Sequence, residues 1–276
     1  MWSLILLPLL AFLIGVIAAM LGIGGGVFMV PSLILLPWYA LDPATASGTS
    51  LAAIVFISLS STFRYRKQKR IDYLLGFAFA TTTIPGAFLG SYIKSIIETQ
   101  ILGLIFAFFL IFVSIRMFIG KRGKESKGGD SANKRGKKKR RIIDSYGKVF
   151  TYSVSLWAVP LLGFAGGFSS GLLGIGGGSV LVPAMNLVLG VPIHVAVATS
   201  MFIMIFTSTS GTLTNIWLSQ IRFDYALLLA IGIIFGAQFG AHYAAKVSAR
   251  NLRRIFAIVL LIASIRMILK FTYIMP

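Results

Sequence analysis

The sequence contains no cysteine, which excludes disulfides, thiolate metal sites and cysteine nucleophiles. Its two histidines, His194 and His242, are too few for a histidine-rich metal site. Only seven residues are acidic. They form no clustered carboxylate pair, and neither a Ser-His-Asp order nor an HExxH motif is present. The sequence therefore reads as that of a non-enzyme with no cofactor. Charged residues of both signs make up 12% of the chain, against roughly 25% in a soluble domain. Most side chains are thus expected never to meet water.

What replaces charge is apolar bulk: 57% of residues are hydrophobic and mean hydropathy is +0.89. Apolar segments run over 2–21, 27–41, 44–62, 73–93, 100–119, 150–173, 179–191, 194–218, 225–245 and 252–275. A run of about 20 apolar residues spans a bilayer as a helix. The stretch from Trp2 to Leu21 has no basic flank before it and is followed by more spans, so it reads as a first membrane helix and not a secretory signal. The expected class is an all-α integral membrane protein. Segments 27–41 and 179–191 are short and carry prolines.

The net charge of +19 would point to nucleic acid in a soluble protein. Here 22 of the 26 Lys and Arg residues fall in 64–70, 116–148 and 246–254. Basic residues bunched in short loops between spans mark the cytoplasmic side. Loops 64–70, 120–148 and 246–254 are accordingly expected to be cytoplasmic in a multi-pass plasma-membrane protein, with the lipid bilayer, and no nucleic acid, as surroundings. Three regions follow: a first membrane repeat over 1–119, a basic linker over 120–148 and a second repeat over 149–276. The linker composition cannot bury a core, so disorder is expected there.

The two repeats share marks in one order. LGIGGG stands at 21–26 and 173–178, Val-Pro at 30–31 and 182–183, Thr-Ser at 49–50 and 199–200. Asp-Tyr recurs at 72–73 and 224–225, Gly-Ala-x-x-Gly at 86–90 and 236–240, and Ile-Arg-Met at 115–117 and 265–267. The basic loops do not follow this order. In the first half the loop between the third and fourth segments is basic, whereas in the second half it is the loop between the fourth and fifth. Equivalent loops would then lie on opposite sides, which means two inverted-topology repeats. Each repeat would hold about four full transmembrane helices and one short segment broken by Gly and Pro. A parallel repeat would instead place 246–254 outside.

The glycine runs are the candidate site. Four glycines in five residues break a helix and bare the backbone, and bare N–H and C=O groups must face protein or a wet cavity. Each run opens a short segment whose first N–H groups attract anions. The expected substrate ligands are Gly24, Gly25 and Gly26 with Gly176, Gly177, Gly178 and Ser179. Pro31 and Pro183 free a backbone carbonyl each. Thr49, Ser50, Thr199 and Ser200 offer hydroxyls, and Asn186 is placed to face the cavity. The bland alternatives are tight turns for the glycines and helix-bridging for the hydroxyls. Asp72 and Asp224 read as N-caps. The stripes Gly86-x-x-x-Gly90, Gly163/Gly167/Gly171 and Gly232/Gly236/Gly240 read as close helix contacts, with a homodimer surface as a further use. No nucleotide loop is present, because the runs lack the Lys-Ser/Thr that follows a phosphate loop.

GIGGGVFMVP at 22–31 and GIGGGSVLVP at 174–183 resemble the duplicated GxGGGxxxxP motif of the TauE/SafE sulfite exporter family, also called TSUP. The Ala-x-x-Thr-Ser, Asp-Tyr and Ile-Arg-Met elements fit the same pattern. The resemblance covers nearly the whole chain except 120–148. It implies a plasma-membrane permease for small sulfur-containing anions such as sulfite or organosulfonates, commonly exporting them. It places the site at the two glycine runs, Pro31, Pro183 and the Thr-Ser pairs. An uptake carrier for another small anion or organosulfur compound, or a non-transporting scaffold using the basic linker, are the alternatives.

Overall fold

A computed structural model describes residues 2–36, 39–119, 137–244, 261–262 and 264–272. The chain is mostly helical. In the first half, α1 spans Trp2–Leu21, α2 Gly26–Leu35, α3 Pro43–Lys67, α4 Tyr73–Ile96 and α5 Thr99–Ile119. In the second, α6 spans Val159–Leu173, α7 Gly178–Pro183, α8 Ile193–Trp217 and α9 Phe223–Tyr243. Residues 261–262 and 264–272 are helical as well. Among the described residues, four helices (α3, α4, α8 and α9) are long and apolar enough to cross a membrane.

The four long helices run in two directions, α3 with α9 one way and α4 with α8 the other. The start of α3 lies against the end of α8, where Gly48 faces Asn215 and the Gln220 carbonyl. The start of α4 lies against the start of α8, where the Asp72 N–H donates to Thr199 Oγ1 at 3.0 Å. One end of the bundle therefore carries residues 68–72 and 189–192; the other, the far end, carries 36–42 and 218–222. Helix α6 runs alongside α4 in the same direction, with Phe164 beside Gly86 and Phe168 beside Gly90. Helix α1 runs alongside α9 likewise, with Pro8, Phe12 and Val16 against Gly232, Gly236 and Gly240.

These pairings explain the glycine stripes. A Cβ on Gly236 would sit 2.1 Å from the Phe12 carbonyl oxygen, and one on Gly171 2.1 Å from that of Ala87. Within a bilayer lipid tails are as apolar as Leu, so helices associate through close packing of small residues. The outward faces show the complement. Phe77, Phe88, Phe108, Phe112, Leu213, Leu227, Phe235 and Phe239 are exposed, while Ser47, Thr49, Ser50, Thr199, Ser200 and Ser208 are buried. Trp157 and Trp217, both exposed, mark opposite ends of the bundle, as aromatic residues at the two membrane interfaces do.

The expected linker is corrected in its second part. Residues 120–136 lie outside the described residues. From there on, β1 (Lys137–Ile143) and β2 (Val149–Ser155) pair antiparallel with Lys137 opposite Ser155. The physical reason is a period-two pattern inside the expected span 150–173. Phe150, Tyr152 and Val154 are buried, whereas Thr151 is exposed. Gly147 supplies the positive φ of 78° in the turn. The hairpin lays this apolar face on Leu189, Val191, Val195 and Phe79. Arg70 pairs with Asp144 at 2.9 Å, and both are buried. Helix α6 is accordingly shorter than the expected span, starting at Val159.

A second correction concerns Asp-Tyr. Asp72 is the N-cap of α4 and accepts from the Leu75 N–H at 3.0 Å. Asp224 is not a cap: the N-cap of α9 is Arg222, and Asp224 lies inside the helix, exposed and paired with Arg222. The positions that correspond are therefore Asp72 and Arg222, 150 residues apart. The turns before them agree, with Lys69 at φ 53° and Ser219 at φ 55°.

Candidate functional site

Both glycine runs fold as expected of helix breaks. Gly22, Gly24 and Gly25 have φ of 73°, 78° and 83°; Gly174, Gly176 and Gly177 have 71°, 77° and 78°. These left-handed conformations strain any residue with a Cβ. Gly25 and Gly177 are the N-caps of α2 and α7, without side-chain caps. The first intrahelical bonds run from Phe28 N to Gly25 O and from Val180 N to Gly177 O. The N–H groups of Gly26, Val27, Gly178 and Ser179 precede those bonds, as the opening N–H groups of any helix do.

The two breaks meet. A Cβ on Gly26 would lie 2.2 Å from the Gly174 carbonyl oxygen and 2.6 Å from Ile175 Cα; one on Gly178 would lie 2.3 Å from the Gly22 oxygen and 2.9 Å from Ile23 Cα. Residues 22–30 and 173–178 are buried. Ile54 and Met204 fill the space beside them: Met204 Sδ borders Gly24, Gly176 and Gly178, and Ile54 borders Gly24, Gly26 and Gly176. Neither residue type marks this pair in the sequence. Its only signal is position, each lying four residues, about one helical turn, beyond Ser50 and Ser200.

The four hydroxyls hold protein partners. Ser50 Oγ donates to Gly174 O at 2.9 Å, and Ser200 Oγ donates to Gly22 O at 2.9 Å. Thr49 Oγ1 accepts from Arg222 N and Thr199 Oγ1 from Asp72 N, both at 3.0 Å. In this conformation each half's Thr-Ser pair thus ties the other half's glycine turn and helix start. Near the second turn, the buried Oγ atoms of Ser170 and Ser179 have no hydrogen-bond partner. Ser179 was expected at the site; Ser170, in α6, was not.

Pro31 is buried within α2, and Pro183 ends α7. The proline leads directly into a π turn over Ala184–Val188, the wider winding that often marks functional positions. Asn186 sits on that turn, and its Nδ2 donates to the Val191 carbonyl at 2.9 Å. It therefore closes its own loop toward the hairpin end and does not face the glycine turns.

The hairpin end and the far end differ electrostatically. At the hairpin end Asp72 accepts from Tyr152 Oη at 2.6 Å and pairs with Arg140. Burial raises the Tyr152 phenol above its usual pKa, and the hydrogen bond to Asp72 adds to the shift. Burial works against the Asp144 charge. Hydrogen bonds from the Arg70 side chain and the Lys148 and Tyr146 N–H groups outweigh it and hold that carboxyl below its ordinary value. At the far end a buried cation, Lys94, reaches Ser47 Oγ at 3.3 Å, Ala44 O at 3.2 Å and Asn215 Oδ1. Lys94 lies near the end of a span, where a lysine ordinarily reaches the interface, yet it is fully buried. Among the described residues no cluster of His, Asp or Glu is placed to hold a metal.

The chain matches the family model "Sulfite exporter TauE/SafE" over residues 7–267. It is 34% identical over 272 residues to the "Probable membrane transporter protein YunE" of Bacillus subtilis, covering 96% of this chain and 97% of that one. It is 28% identical over 282 residues to a "Probable membrane transporter protein" of Methanocaldococcus jannaschii, covering 96% and 97%. No solved structure matches it.

Proposed function

Because the chain belongs to the Sulfite exporter TauE/SafE family, a family of membrane transporters, we propose that it exports a small sulfur-containing anion, sulfite or an organosulfonate, across the plasma membrane by alternating access. The observation that carries this reading is the meeting of two helix breaks, each with uncapped helix-start N–H groups, inside a bundle with lipid-type outer faces. The unpartnered hydroxyls of Ser170 and Ser179 beside the second break add two neutral donors. Neutral donors suit a carrier that must also release its load.

In this reading the halves are inverted repeats. Support comes from the opposed directions of α3 and α8, and from the reciprocal packing of α1 on α9 and α6 on α4. Alternating access then has two equivalent gates. Opening the hairpin end separates Ser200 from Gly22 and Thr199 from Asp72. Opening the far end separates Ser50 from Gly174 and Thr49 from Arg222. The two gates use the same hydrogen-bond types, so neither state starts with a large advantage. Ile54 and Met204 are the apolar plug that keeps the two from opening together. The basic residues 64–70 lie at the hairpin end, which this reading places in the cytoplasm.

An outward-moving monovalent anion gains roughly 2.3 kcal/mol per 100 mV of inside-negative potential, so export can run on the potential. The test is sulfite efflux from proteoliposomes with an imposed potential. Efflux is expected to rise with the potential and to be lost on substituting Gly25 and Gly177 together with Ala. Equal flux in wild type and double variant would refute the site, and inward-only flux would refute export in favour of uptake.

A further inference from the structure

Lys94 is the buried charge that the transport reading does not use. It lies in α4 within one turn of the helix end and is 0% exposed. Its three hydrogen-bond partners, Ala44 O, Ser47 Oγ and Asn215 Oδ1, are all neutral. Among the described residues no carboxylate pairs with it. Asp42, the N-cap at the start of α3, is exposed, accepts from the Thr45 N–H and attracts the Lys94 ammonium only through space, with no hydrogen bond to it. Removing an ammonium from water with no counter-charge in contact costs several kcal/mol. A glutamine could donate to the same neutral acceptors without that penalty. Ionisable groups kept inside a membrane bundle characteristically mark ion paths.

The position of the lysine agrees with such a path. Ser47, its hydrogen-bond partner, packs directly on the second glycine turn: a Cβ on Gly174 would lie 2.6 Å from Ser47 Oγ. Asn215 Nδ2 donates to Ser91 Oγ at 3.2 Å, and Ser91 Oγ donates to Gly171 O at 3.4 Å. Four polar side chains from α3, α4 and α8 therefore converge beside one gate. The corresponding positions at the hairpin end, 150 residues away in the chain, carry Ala244, Val197, Ala241 and Tyr65 in place of Lys94, Ser47, Ser91 and Asn215. The Tyr65 hydroxyl donates to Ala19 O. The charge is thus specific to one gate and is not a by-product of the repeated architecture.

We propose that Lys94, with Ser47 and Asn215, forms a subsite for a small oxyanion at the far-end gate, the anion supplying the negative group in direct contact that the described residues do not. This rests on the reading that a small anion passes between the glycine turns. On arrival of the anion, one ammonium N–H turns from Ala44 O or Ser47 Oγ toward an anion oxygen, and the Ser47 hydroxyl is freed to donate beside it.

The test uses the full chain in detergent, titrated with sodium sulfite, sulfate and methanesulfonate at constant ionic strength, with thermal stability as the readout. Wild type and Lys94→Arg are expected to show saturable stabilisation. Lys94→Gln and Lys94→Met are expected to bind at least about tenfold more weakly, as befits loss of a hydrogen bond to a charged group. Neutral variants that bind as tightly as wild type overturn the subsite, as does a wild type that binds none of the three anions. If both neutral variants fail to fold, Lys94→Arg decides: its relative affinity for sulfite and sulfate shifts if the side chain touches the anion, and an unchanged ratio overturns the proposal. Lys94-dependent binding without sulfite flux in proteoliposomes would sink the transport reading alone. Sulfite flux with the same KM in wild type and Lys94→Gln would sink the subsite alone.

Discussion

Replacing Gly26 with Ala tests the contact between the two helix breaks most directly. Gly26 is the first residue of α2 and has no positive φ, so an alanine there meets no backbone strain of its own. The new methyl would lie 2.2 Å from the Gly174 oxygen and 2.6 Å from Ile175 Cα. Real Cβ contacts keep at least 3.0 Å, and both obstacles are backbone atoms that no rotamer change can move. The turns must separate by about 0.8 Å, the shortfall of that contact. Overpacking of this kind costs about 1–3 kcal/mol, and here it falls on the site itself. Gly178→Ala should behave alike, because its Cβ would meet Gly22 O at 2.3 Å. Each variant is expected to lower the melting temperature in detergent and, if the proposed site spans both turns, to reduce sulfite flux in proteoliposomes by at least about tenfold. Gly103→Ala is the control. Its Cβ would press on the Phe271 ring, the end of a flexible side chain, so flux should persist. Wild-type stability and flux in both Gly26→Ala and Gly178→Ala would refute the idea that the breaks meet.

Other outcomes follow from the same contacts. Ser50→Ala and Ser200→Ala each remove one bond to a glycine carbonyl and should destabilise by about 0.6–2 kcal/mol, with similar losses in the two variants on thermal unfolding; a large difference between them would contradict equivalent gates. Gly240→Leu would drive a side chain into Val16 O, 2.0 Å from the Cβ position, and should abolish monodisperse protein in size-exclusion chromatography, whereas Phe235→Leu on the exposed face should not. The depressed Asp144 pKa means that its pairing with Arg70 stabilises the folded chain above the unfolded carboxylate value of about 4 and is lost as pH falls through the lower folded value. Hydrogen exchange at 137–155 should therefore speed up on acidification below about pH 4, and Asp144→Asn should remove that dependence.

The helix breaks, the glycine stripes and most of the spans were legible because their signals are local. Four glycines in five residues permit few backbones, and small residues every four positions face one neighbour. The hairpin was missed because Phe150, Tyr152 and Val154 run straight into the apolar start of α6, and the combined stretch has the length of a span. Only the alternation with Thr151 and Ser153 separates strand from helix there. Asp224 misled because identity was matched in place of position: the cap that corresponds to Asp72 is Arg222, which keeps the backbone role and loses the carboxylate. The sequence left the hydroxyls open between substrate ligands and helix bridges, since hydrogen-bond partners 124 and 178 residues away in the chain leave no local trace.

Lys94 shows the deepest limit of local reading, and what the fold adds to it. In the sequence it is one lysine near a span end, where a long side chain ordinarily reaches the interface. Burial turns it inward because Ser47 and Asn215, from two other helices, arrive at the same height as its ammonium. In the proposed alternating-access scheme the two halves supply two gates built from the same bonds, and the differences between them come from residues outside the repeated marks. One gate is covered by a hairpin anchored on Asp72, whose N–H is also the partner of Thr199. The other holds a buried cation, Lys94, bonded to the Ser47 hydroxyl that packs on Gly174. In that scheme a duplicated scaffold would leave the two states nearly even in energy, so that small unrepeated features are enough to give the two directions different character.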